Sequence, residues 1–466
     1  MDLINNAALQ REKTIKETAE EHRQQLGQHL TPKETAILAA SMFDSTDHEL
    51  ECLDIGAGTG MLSIALIERY GELIGNIDCV EADPELAVIC DGELKGVHHH
   101  VIVGDAITDT PNKLYDRVIL NPPYKKMAAD DSRQKLLPVR SPNLYTAFLI
   151  TALSHLKDGG ECVAIVPRSW MNGEYFTLFR KWTLTNYSLD AIHIYDSRTE
   201  VFHDTNVLQE TMLARFSKRE QVKNIKTSTS KDKSGDIVTH VYDARELIIG
   251  DDFDVRIAPA TNTYTTLKDR GFCPSTGKVV DFRSDGHIFK DYQDALSHYK
   301  KSDIYPLIYA GNFRSCSFVH PADICKYQWF GADDEKHKKQ LTQSGSYVLV
   351  KRFTAKEEKK RVCAYPLTLD TPAAIENHLN FIHAGTPRKV IPLESDVLSK
   401  GLAIWLNTTY IDNWFRDVSG STQVNAKDIK AMPCPSVETL IEFGRHWHDN
   451  MTQEEFDDVT KDYLVE

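Results

Sequence analysis

The chain is predicted to begin with a doubly wound α/β domain on a mostly parallel sheet, and three observations predict it. Between residues 50 and 220, short apolar runs alternate with amphipathic stretches. A glycine-rich turn, Gly-Ala-Gly-Thr-Gly at 56–60, follows the first apolar run. A rigid turn, Asn-Pro-Pro-Tyr at 121–124, follows a later one. Such sheets bind ligands beyond the carboxyl ends of their strands, where both turns are expected.

The elements of this domain follow from the same alternation. Strands are predicted at 50–55, 77–81, 100–103, 117–120, 162–166 and 191–195. Helices are predicted at 61–70, 84–90, 144–156 and 175–184. Strands separated by helices pair in parallel, because each connection crosses a face of the sheet.

Composition describes a soluble globular protein of two or three domains. The 466 residues are 41% hydrophobic and 26% charged, with no run of 18 apolar residues and no signal peptide. Nine scattered cysteines without a Cys-x-x-Cys pair argue against a disulfide framework and a zinc site, and no other metal site is expected. A reducing cytoplasm fits this pattern. The polar residues 1–25 are expected to form an exposed helix or arm.

The net charge of −14 is distributed unevenly. Acidic residues concentrate in 41–110 and in 441–466, whereas 111–140 is basic on balance. Because local charge decides where a phosphate backbone can lie, the total does not exclude nucleic acid as a partner.

The glycine turn at 56–60 excludes two common cofactors and favours a third kind. Its spacing differs from the dinucleotide fingerprint, which argues against NAD, and it lacks the Lys-Ser/Thr of a P-loop. Asp54 stands two residues before Gly56, where it would repel a phosphate and attract an ammonium group. Gly56 and Gly58 would let the backbone approach a ligand with an amino-acid end.

Acidic residues end the next two predicted strands. Glu81 can accept hydrogen bonds from both hydroxyls of a ribose, and Asp105 can accept one from the exocyclic amine of an adenine. With Asp54, the three acids match the methionine, ribose and adenine parts of S-adenosylmethionine. The alternative for each is that strand ends are commonly polar.

The turn at 121–124 is expected to hold a planar amino group. Pro122 and Pro123 fix φ near −65° and remove two donors, and Asn121 is forced to be extended. The Asn121 amide can donate and accept, and Tyr124 offers a flat face for stacking. Taken alone, the tetrapeptide is equally consistent with an ordinary strand-ending loop.

The motifs resemble, in their order, the gamma group of N6-adenine DNA methyltransferases. The match covers 26 to about 220 and rests on Gly-Gln-His-Leu-Thr-Pro at 27–32, the Asp-Ile-Gly-x-Gly-x-Gly run at 54–60, Glu81, Gly104-Asp105, Asn-Pro-Pro-Tyr at 121–124, 143–149, 156–160 and 166–167, and a hairpin bearing an aromatic at 201–216.

The resemblance implies base flipping and direct methyl transfer. Asn121 and the Pro122 carbonyl would accept from the adenine N6 amine, Tyr124 would stack on the base and Phe202 would contact it. Thr31 would lie near the methionine carboxylate, although Thr31-Pro32 also fits a helix N-cap and first turn. Phe202 is equally consistent with a core position.

Basic residues after the catalytic turn are candidate phosphate contacts. They are Lys125, Lys126, Arg133, Lys135 and Arg140. A solvated charged loop explains the same composition equally well.

The C-terminal half is predicted to be an α+β target-recognition domain. It resembles the recognition region of PstI-like type II modification methylases, mainly at 275–283 and 420–428. Side chains that can read base edges near its turns are Arg314, Arg352, Gln423 and Asn425. Ordinary loops are the alternative. The predicted organisation is an N-terminal arm (1–25), catalytic domain (26–220), linker (221–240) and recognition domain (241–466).

The sequence therefore predicts a site-specific adenine DNA methyltransferase that uses S-adenosylmethionine in a restriction-modification system. Its expected partner is double-stranded DNA, with a possible cognate endonuclease that is not a stable subunit, and the protein is expected to be a monomer or weak dimer. Two alternatives stay open: a protein-glutamine N-methyltransferase, which also uses Asn-Pro-Pro-Tyr, and an inactive DNA-binding specificity subunit.

Overall fold

The computed structural model describes residues 3–17, 30–195, 211–230, 236–259, 265–314, 316–354, 358–418 and 423–465. The chain forms two compact units, residues 1–260 and 261–466.

A mixed sheet organises the first unit. In the described ranges it contains nine strands: β1 (Leu50–Ile55), β2 (Ile74–Glu81), β3 (His99–Val103), β4 (Tyr115–Leu120), β5 (Leu156–Pro167), β6 (Ser188–Tyr195), β7 (Thr211–Ser217), β8 (Asn224–Ser230) and β9 (Val238–Asp243). The strand order is β3-β2-β1-β4-β5-β7-β6-β8-β9. β7 is antiparallel to both β5 and β6, and β9 is antiparallel to β8, while the other neighbours are parallel.

The chain reverses its direction of travel across the sheet between β1 and β4. From β1 it proceeds through β2 to β3 on one side, and then through β4 to β5 on the other. Ile55, the last residue of β1, pairs with Val80 of β2 and with Leu120 of β4. Ligands of open α/β sheets bind at such a switch point, so the turns after β1 and β4 face the same crevice.

Helices cover both faces of this sheet. They are α1 (Leu3–Glu17), α2 (Lys33–Ser41), α3 (Met61–Tyr70), α4 (Pro84–Glu93), α5 (Leu144–Ser154), α6 (Thr177–Asn186) and the short α7 (Ala244–Leu247). Alternate residues of β4 enter opposite cores: Val118 and Leu120 join the cluster with α5 and α6, whereas Ile119 joins the one with α1, α2 and α3. Burial on both faces explains the nearly continuous apolar strands.

Two predicted features of the first unit differ in the structure. Ile4, Ala7 and Arg11 of α1 are buried, so this segment packs on the domain instead of forming an exposed arm. The predicted linker, 221–240, contains β8 and the start of β9, and the units separate at 260/261. Its Lys/Ser/Thr composition reflects a half-exposed strand, in which Ile225 and Thr227 point inward and their neighbours outward.

The second unit combines two small sheets with a helical cluster. A four-stranded sheet has the order β12 (Cys273–Thr276), β22 (Leu379–His383), β19 (Gly345–Lys351) and β20 (Ala364–Leu369). A five-stranded sheet has the order β13 (Ile288–Phe289), β17 (Trp329–Gly331), β14 (Ile304–Ile308), β21 (Ala373–Ile375) and β18 (Leu341–Thr342). The second unit also contains a short hairpin of β15 (Phe313–Arg314) and β16 (Ser317–Phe318). A similar hairpin in the first unit consists of β10 (Ile248–Ile249) and β11 (Asp254–Val255).

The helices of this unit are α8 (Tyr292–His298), α9 (Glu335–Lys338), α10 (Asp396–Leu406), α11 (Thr409–Val418), α12 (Ala426–Ala431), α13 (Val437–Gly444) and α14 (Gln453–Val465). α10 and α13 approach so closely that a Cβ on Gly401 would lie 1.6 Å from the Leu440 carbonyl oxygen. α10 ends at Leu406, with Asn407 as its C-cap residue, and α11 begins two residues later at Thr409. The α+β character predicted for the C-terminal half is confirmed.

Within the described ranges, every helix is too short or too polar to cross a membrane. The nine cysteines all lie in those ranges and are free thiols.

Candidate active site

A cleft opens where the turns after β1 and β4 meet. Its walls come from the residues before α2, the glycine turn, the ends of β2 and β3, the Asn-Pro-Pro-Tyr turn and α5. The lining residues are Leu30, Thr31, Gly56, Ala57, Gly58, Thr59, Met61, Leu62, Val80, Glu81, Ala82, Leu86, Gly104, Ala106, Asn121, Pro123 and Phe148. Four of the predicted cofactor contacts, Thr31, Gly56, Gly58 and Glu81, therefore share one cavity with the predicted base contact Asn121. The predicted contacts Asp54, Asp105, Pro122 and Tyr124 are not among its lining residues.

The glycine turn shapes the floor of this cleft. Gly56, Gly58 and Gly60 all have positive φ, at 77°, 58° and 84°, in the region that favours glycine. A Cβ on Gly58 would lie 3.1 Å from Leu30, and one on Gly56 would lie 3.5 Å from Phe148. The turn thus leaves backbone exposed where a side chain would fill the cavity.

Glu81 fixes the glycine turn from the end of β2. Its Oε2 accepts from the Gly58 N–H at 2.8 Å, and its Oε1 accepts from the Asp83 N–H at 2.9 Å. Each carboxylate oxygen keeps a second lone pair, so both can also accept from a ligand hydroxyl. Burial raises the pKa of Glu81, and the backbone donors oppose that shift.

Asp54 lies beneath the cleft, not on its wall. Its side chain is fully buried, and its Oδ2 accepts from the Ser63 hydroxyl at 2.7 Å. Its Oδ1 is buried without a hydrogen-bond partner in the described part of the chain. Burial raises the pKa of Asp54 to about 7, because removal from water disfavours the carboxylate. The carboxyl group is therefore well placed to titrate near neutral pH.

Asp105, predicted to accept from an adenine amine, already has two protein partners. Its Oδ1 accepts from the Ile107 N–H at 2.8 Å, and its Oδ2 pairs with Arg133 Nη1 at 2.7 Å. Gly104 and Ala106 on either side of it line the cleft. Arg133 also pairs with Asp131 at 2.6 Å, so this predicted phosphate contact is held by two carboxylates.

Asn121 connects the two halves of the cleft. Its Nδ2 donates to the Thr31 hydroxyl at 3.0 Å, and its Oδ1 accepts from the Tyr124 hydroxyl at 3.1 Å. Burial raises the pKa of Tyr124 well above its usual value, so the phenol remains a neutral donor. Thr31 thus orients Asn121, and α2 begins after Pro32 without a side-chain cap from Thr31.

One predicted site residue lies outside the described residues, and one neighbour was missed. Phe202 falls in 196–210, which the structure does not describe, and stays a prediction. Phe148 of α5 lines the cleft opposite Gly56. The sequence could have indicated Phe148 as a cleft residue, because it lies one turn into the helix that follows the catalytic loop.

The lysines after the catalytic turn close a surface loop. Lys126 is exposed and its backbone bridges Asn143, while the carbonyl of the half-buried Lys125 accepts from the Leu144 N–H at 2.8 Å. Both ammonium groups remain candidates for phosphate contact.

Candidate base-reading residues in the second unit make internal bonds. Arg352 donates to Gln423 Oε1 at 3.2 Å and to the Asn377 carbonyl at 3.1 Å. Asn425 caps α12 through a reciprocal pair with Asp428. Arg314 belongs to β15, and the structure describes only its backbone. These residues stay predictions as base contacts.

Sequence comparisons give a consistent relationship along nearly the whole chain. The profile of the family described as Eco57I restriction-modification methylase matches residues 90–202. The type II methyltransferase M.PstI of Providencia stuartii is 34% identical over 95% of this chain and 94% of its own length. M.BsuBI of Bacillus subtilis, another type II methyltransferase, is 31% identical over 95% of each chain.

Solved structures support the fold. The type IIL restriction-modification enzyme MmeI, solved in complex with DNA, superposes with a TM-score of 0.55 at 11% identity. The match covers 99% of this chain and 74% of that one.

The fold, the cleft and the relatives agree with one another. The predicted S-adenosylmethionine-dependent methyltransferase fold is confirmed, as is S-adenosylmethionine as the cofactor. The resemblance to PstI-like modification methylases is confirmed by the identity and by its coverage of the chain. The chain belongs to the type II methyltransferases of restriction-modification systems.

Proposed function

We propose that the protein methylates N6 of an adenine that has been flipped out of double-stranded DNA at a specific site. The observation that carries the proposal is the shared cleft: Asn121, on the turn after β4, lines the same cavity as Gly58 and Glu81. A planar amine held by Asn121 would face a cofactor held by the glycine turn.

The side chains of the cleft suit the parts of S-adenosylmethionine chemically. Glu81 offers two oxygens to the ribose hydroxyls, and the apolar side chains of Leu30, Met61 and Leu86 would surround the nucleoside. Asp105 retains unused lone pairs for an amine even while it holds Arg133. When bound, S-adenosylmethionine supplies an electrophilic methyl group on a sulfonium.

Asn121 and its neighbours would bind and orient the target base. The Asn121 Oδ1 and the Pro122 carbonyl can accept from the two N6 hydrogens, which aims the nitrogen lone pair into the cleft. Thr31 keeps the amide from rotating, since its hydroxyl accepts from Nδ2. Tyr124 provides a face for stacking. Positioning of this kind can supply most of the rate, because the sulfonium is a good leaving group.

The two rival readings are tested together with the proposal. The protein would be incubated with radiolabelled S-adenosylmethionine and, separately, plasmid DNA, free adenine or a peptide release factor. We expect label on duplex DNA alone, recovered as N6-methyladenine after hydrolysis to nucleosides. Label on the release factor would establish glutamine methylation, and label on cytosine would refute the assigned base. No transfer by a protein that binds both ligands would indicate an inactive specificity subunit.

A further inference from the structure

A second groove lies on the surface of the first unit, separate from the cofactor cleft. One wall is the loop 127–142, which follows the catalytic turn, and the other comes from the segment that opens α6. Met127, Gln134, Arg140, Pro142, Tyr175 and Leu178 line it. None of the cofactor or base contacts assigned above belongs to this groove.

The groove exposes large apolar side chains to solvent. Tyr175 is 86% exposed and Leu178 is 57% exposed. Burial of an aromatic side chain in an interface is favourable. An aromatic side chain that is held in solvent beside polar residues is therefore typical of a contact surface.

The turn that carries Tyr175 is rigidly braced from within. Arg180 is fully buried, and its Nη1 donates to the carbonyls of Trp170 at 2.9 Å and Gly173 at 2.7 Å. Its Nη2 pairs with Asp254 at 2.8 Å. A buried arginine satisfied on several sides fixes the backbone around it. Tyr175 is therefore presented on a fixed support.

Aromatic contacts connect this support to the catalytic turn. Phe176, next to Tyr175, packs on Tyr145 with ring centroids 5.6 Å apart. Tyr145 in turn meets Tyr124 edge-on at 6.3 Å. The groove is thus two ring contacts from the Asn-Pro-Pro-Tyr turn, a separation that a few nucleotides span at about 3.4 Å each.

The charge of the groove matches a nucleic-acid strand. Residues 125–142 contain five lysines and arginines and two aspartates. Arg133 is shared by Asp131 and Asp105, while Lys126, Lys135 and Arg140 are exposed together with one acid, Asp130. Glu174 is the acidic neighbour on the α6 side. Aromatic stacking with nearby cations is how proteins hold single nucleotides without reading their sequence.

We propose that this groove binds the DNA strand beside the target adenine, with Tyr175 stacked on a neighbouring nucleotide and Arg140 on a phosphate. The proposal rests on the proposed function, because it takes the substrate to be DNA. It assigns to Tyr175 a positioning role that keeps the strand distorted while the base is in the cleft.

The test uses the full-length protein and a duplex containing its methylated site, once that site has been mapped by sequencing methylated plasmid. Tyr175→Ala, Tyr175→Phe and Arg140→Ala would be compared with two exposed controls on the edge of the same unit, Val241→Ala and Arg245→Ala. We expect Tyr175→Ala to raise KM for DNA at least about fivefold. The KM of Tyr175→Phe for DNA should stay within about twofold of the wild-type value. The Kd for S-adenosylmethionine should be unchanged in all of the variants. Arg140→Ala should lower the slope of log K against log salt by about 0.9.

Fluorescence of 2-aminopurine placed beside the target adenine gives an independent readout. Stacking on Tyr175 should quench this fluorescence, and Tyr175→Ala should restore the fluorescence. An unchanged KM and quenching in Tyr175→Ala would overturn the inference while leaving the proposed function intact. If Tyr175→Ala changed the sedimentation coefficient of the protein but left DNA binding unaltered, the groove would be a contact with a second copy of the chain. That result would also overturn the inference. A wild-type protein that methylates no DNA would refute the proposed function itself.

Discussion

Polar side chains line the cleft of the first unit and lie near the turns of the second unit, but their surroundings differ. In the first unit, Thr31, Glu81 and Asn121 come from distant segments and face one cavity. In the second, Arg352 bonds to Gln423 and Asn425 caps a helix. Ordered motifs at strand ends converge because sheet topology forces them together, whereas composition near turns does not specify what a side chain contacts.

The largest expected effect tests the cleft through Asn121. Asn121→Ala removes the acceptor for the target amine, and we expect methyl transfer to DNA to fall by about 10²–10³-fold or more. S-adenosylmethionine affinity should stay within a few fold, since the glycine turn and Glu81 are untouched. Single-turnover assays and calorimetric titration measure the two quantities. Asn186→Ala, a change on the exposed end of α6, is the control, and full activity in Asn121→Ala would refute the proposed mechanism.

A smaller effect is expected where Glu81 holds the glycine turn. Glu81→Gln keeps one acceptor oxygen but places an N–H donor against a backbone N–H, so one of the bonds to Gly58 and Asp83 is lost. We expect S-adenosylmethionine to bind about 10- to 100-fold more weakly by calorimetry. Glu85→Gln, on the exposed side of α4, should bind normally. Equal affinities in the two variants would remove Glu81 from the cofactor site.

The buried Asp54 predicts a pH effect on stability. Its pKa is about 7 in the folded protein against an ordinary 3.8, so folding favours the protonated acid. The free energy of unfolding should therefore decline as pH rises from about 4 to 7, and stay lower above that range. Asp54→Asn should flatten this decline, by on the order of 1–4 kcal/mol in urea titrations. If the free energy of unfolding changed with pH in the same way in both proteins, the pKa of Asp54 would not be raised by folding.

The smallest effect concerns the second unit. Arg352→Ala removes the bonds to Gln423 and the Asn377 carbonyl, and we expect about 1–2 kcal/mol lower stability whether or not Arg352 also contacts a base. Thermal unfolding and sequencing of methylated DNA measure these outcomes. Arg388→Ala, an exposed arginine of the same unit, is the matched control. A relaxed or altered recognition sequence in Arg352→Ala would support the predicted base contact of this residue and weaken the contrast between the units.

Gly401 shows that packing in the second unit also escaped prediction. It allows α10 and α13 to meet at backbone distance, yet a lone glycine inside a helical pattern gives no sign of its partner. The strand β8, which lies between β6 and the edge strand β9, escaped for a related reason, because its alternation of buried and exposed residues was obscured by a linker-like composition.

The sequence by itself determined the parallel strands β1 to β5, the positions of the glycine turn and the Asn-Pro-Pro-Tyr turn, and the cofactor class. Apolar periodicity sets the strands, and crossover connections place their carboxyl ends at one edge, so residues far apart in the chain must meet there. Only the tertiary structure decided which atoms pair: Asn121 with Thr31, Asp105 with Arg133, and Arg180 with Asp254. Such partners depend on side-chain distances after packing, which no local pattern encodes.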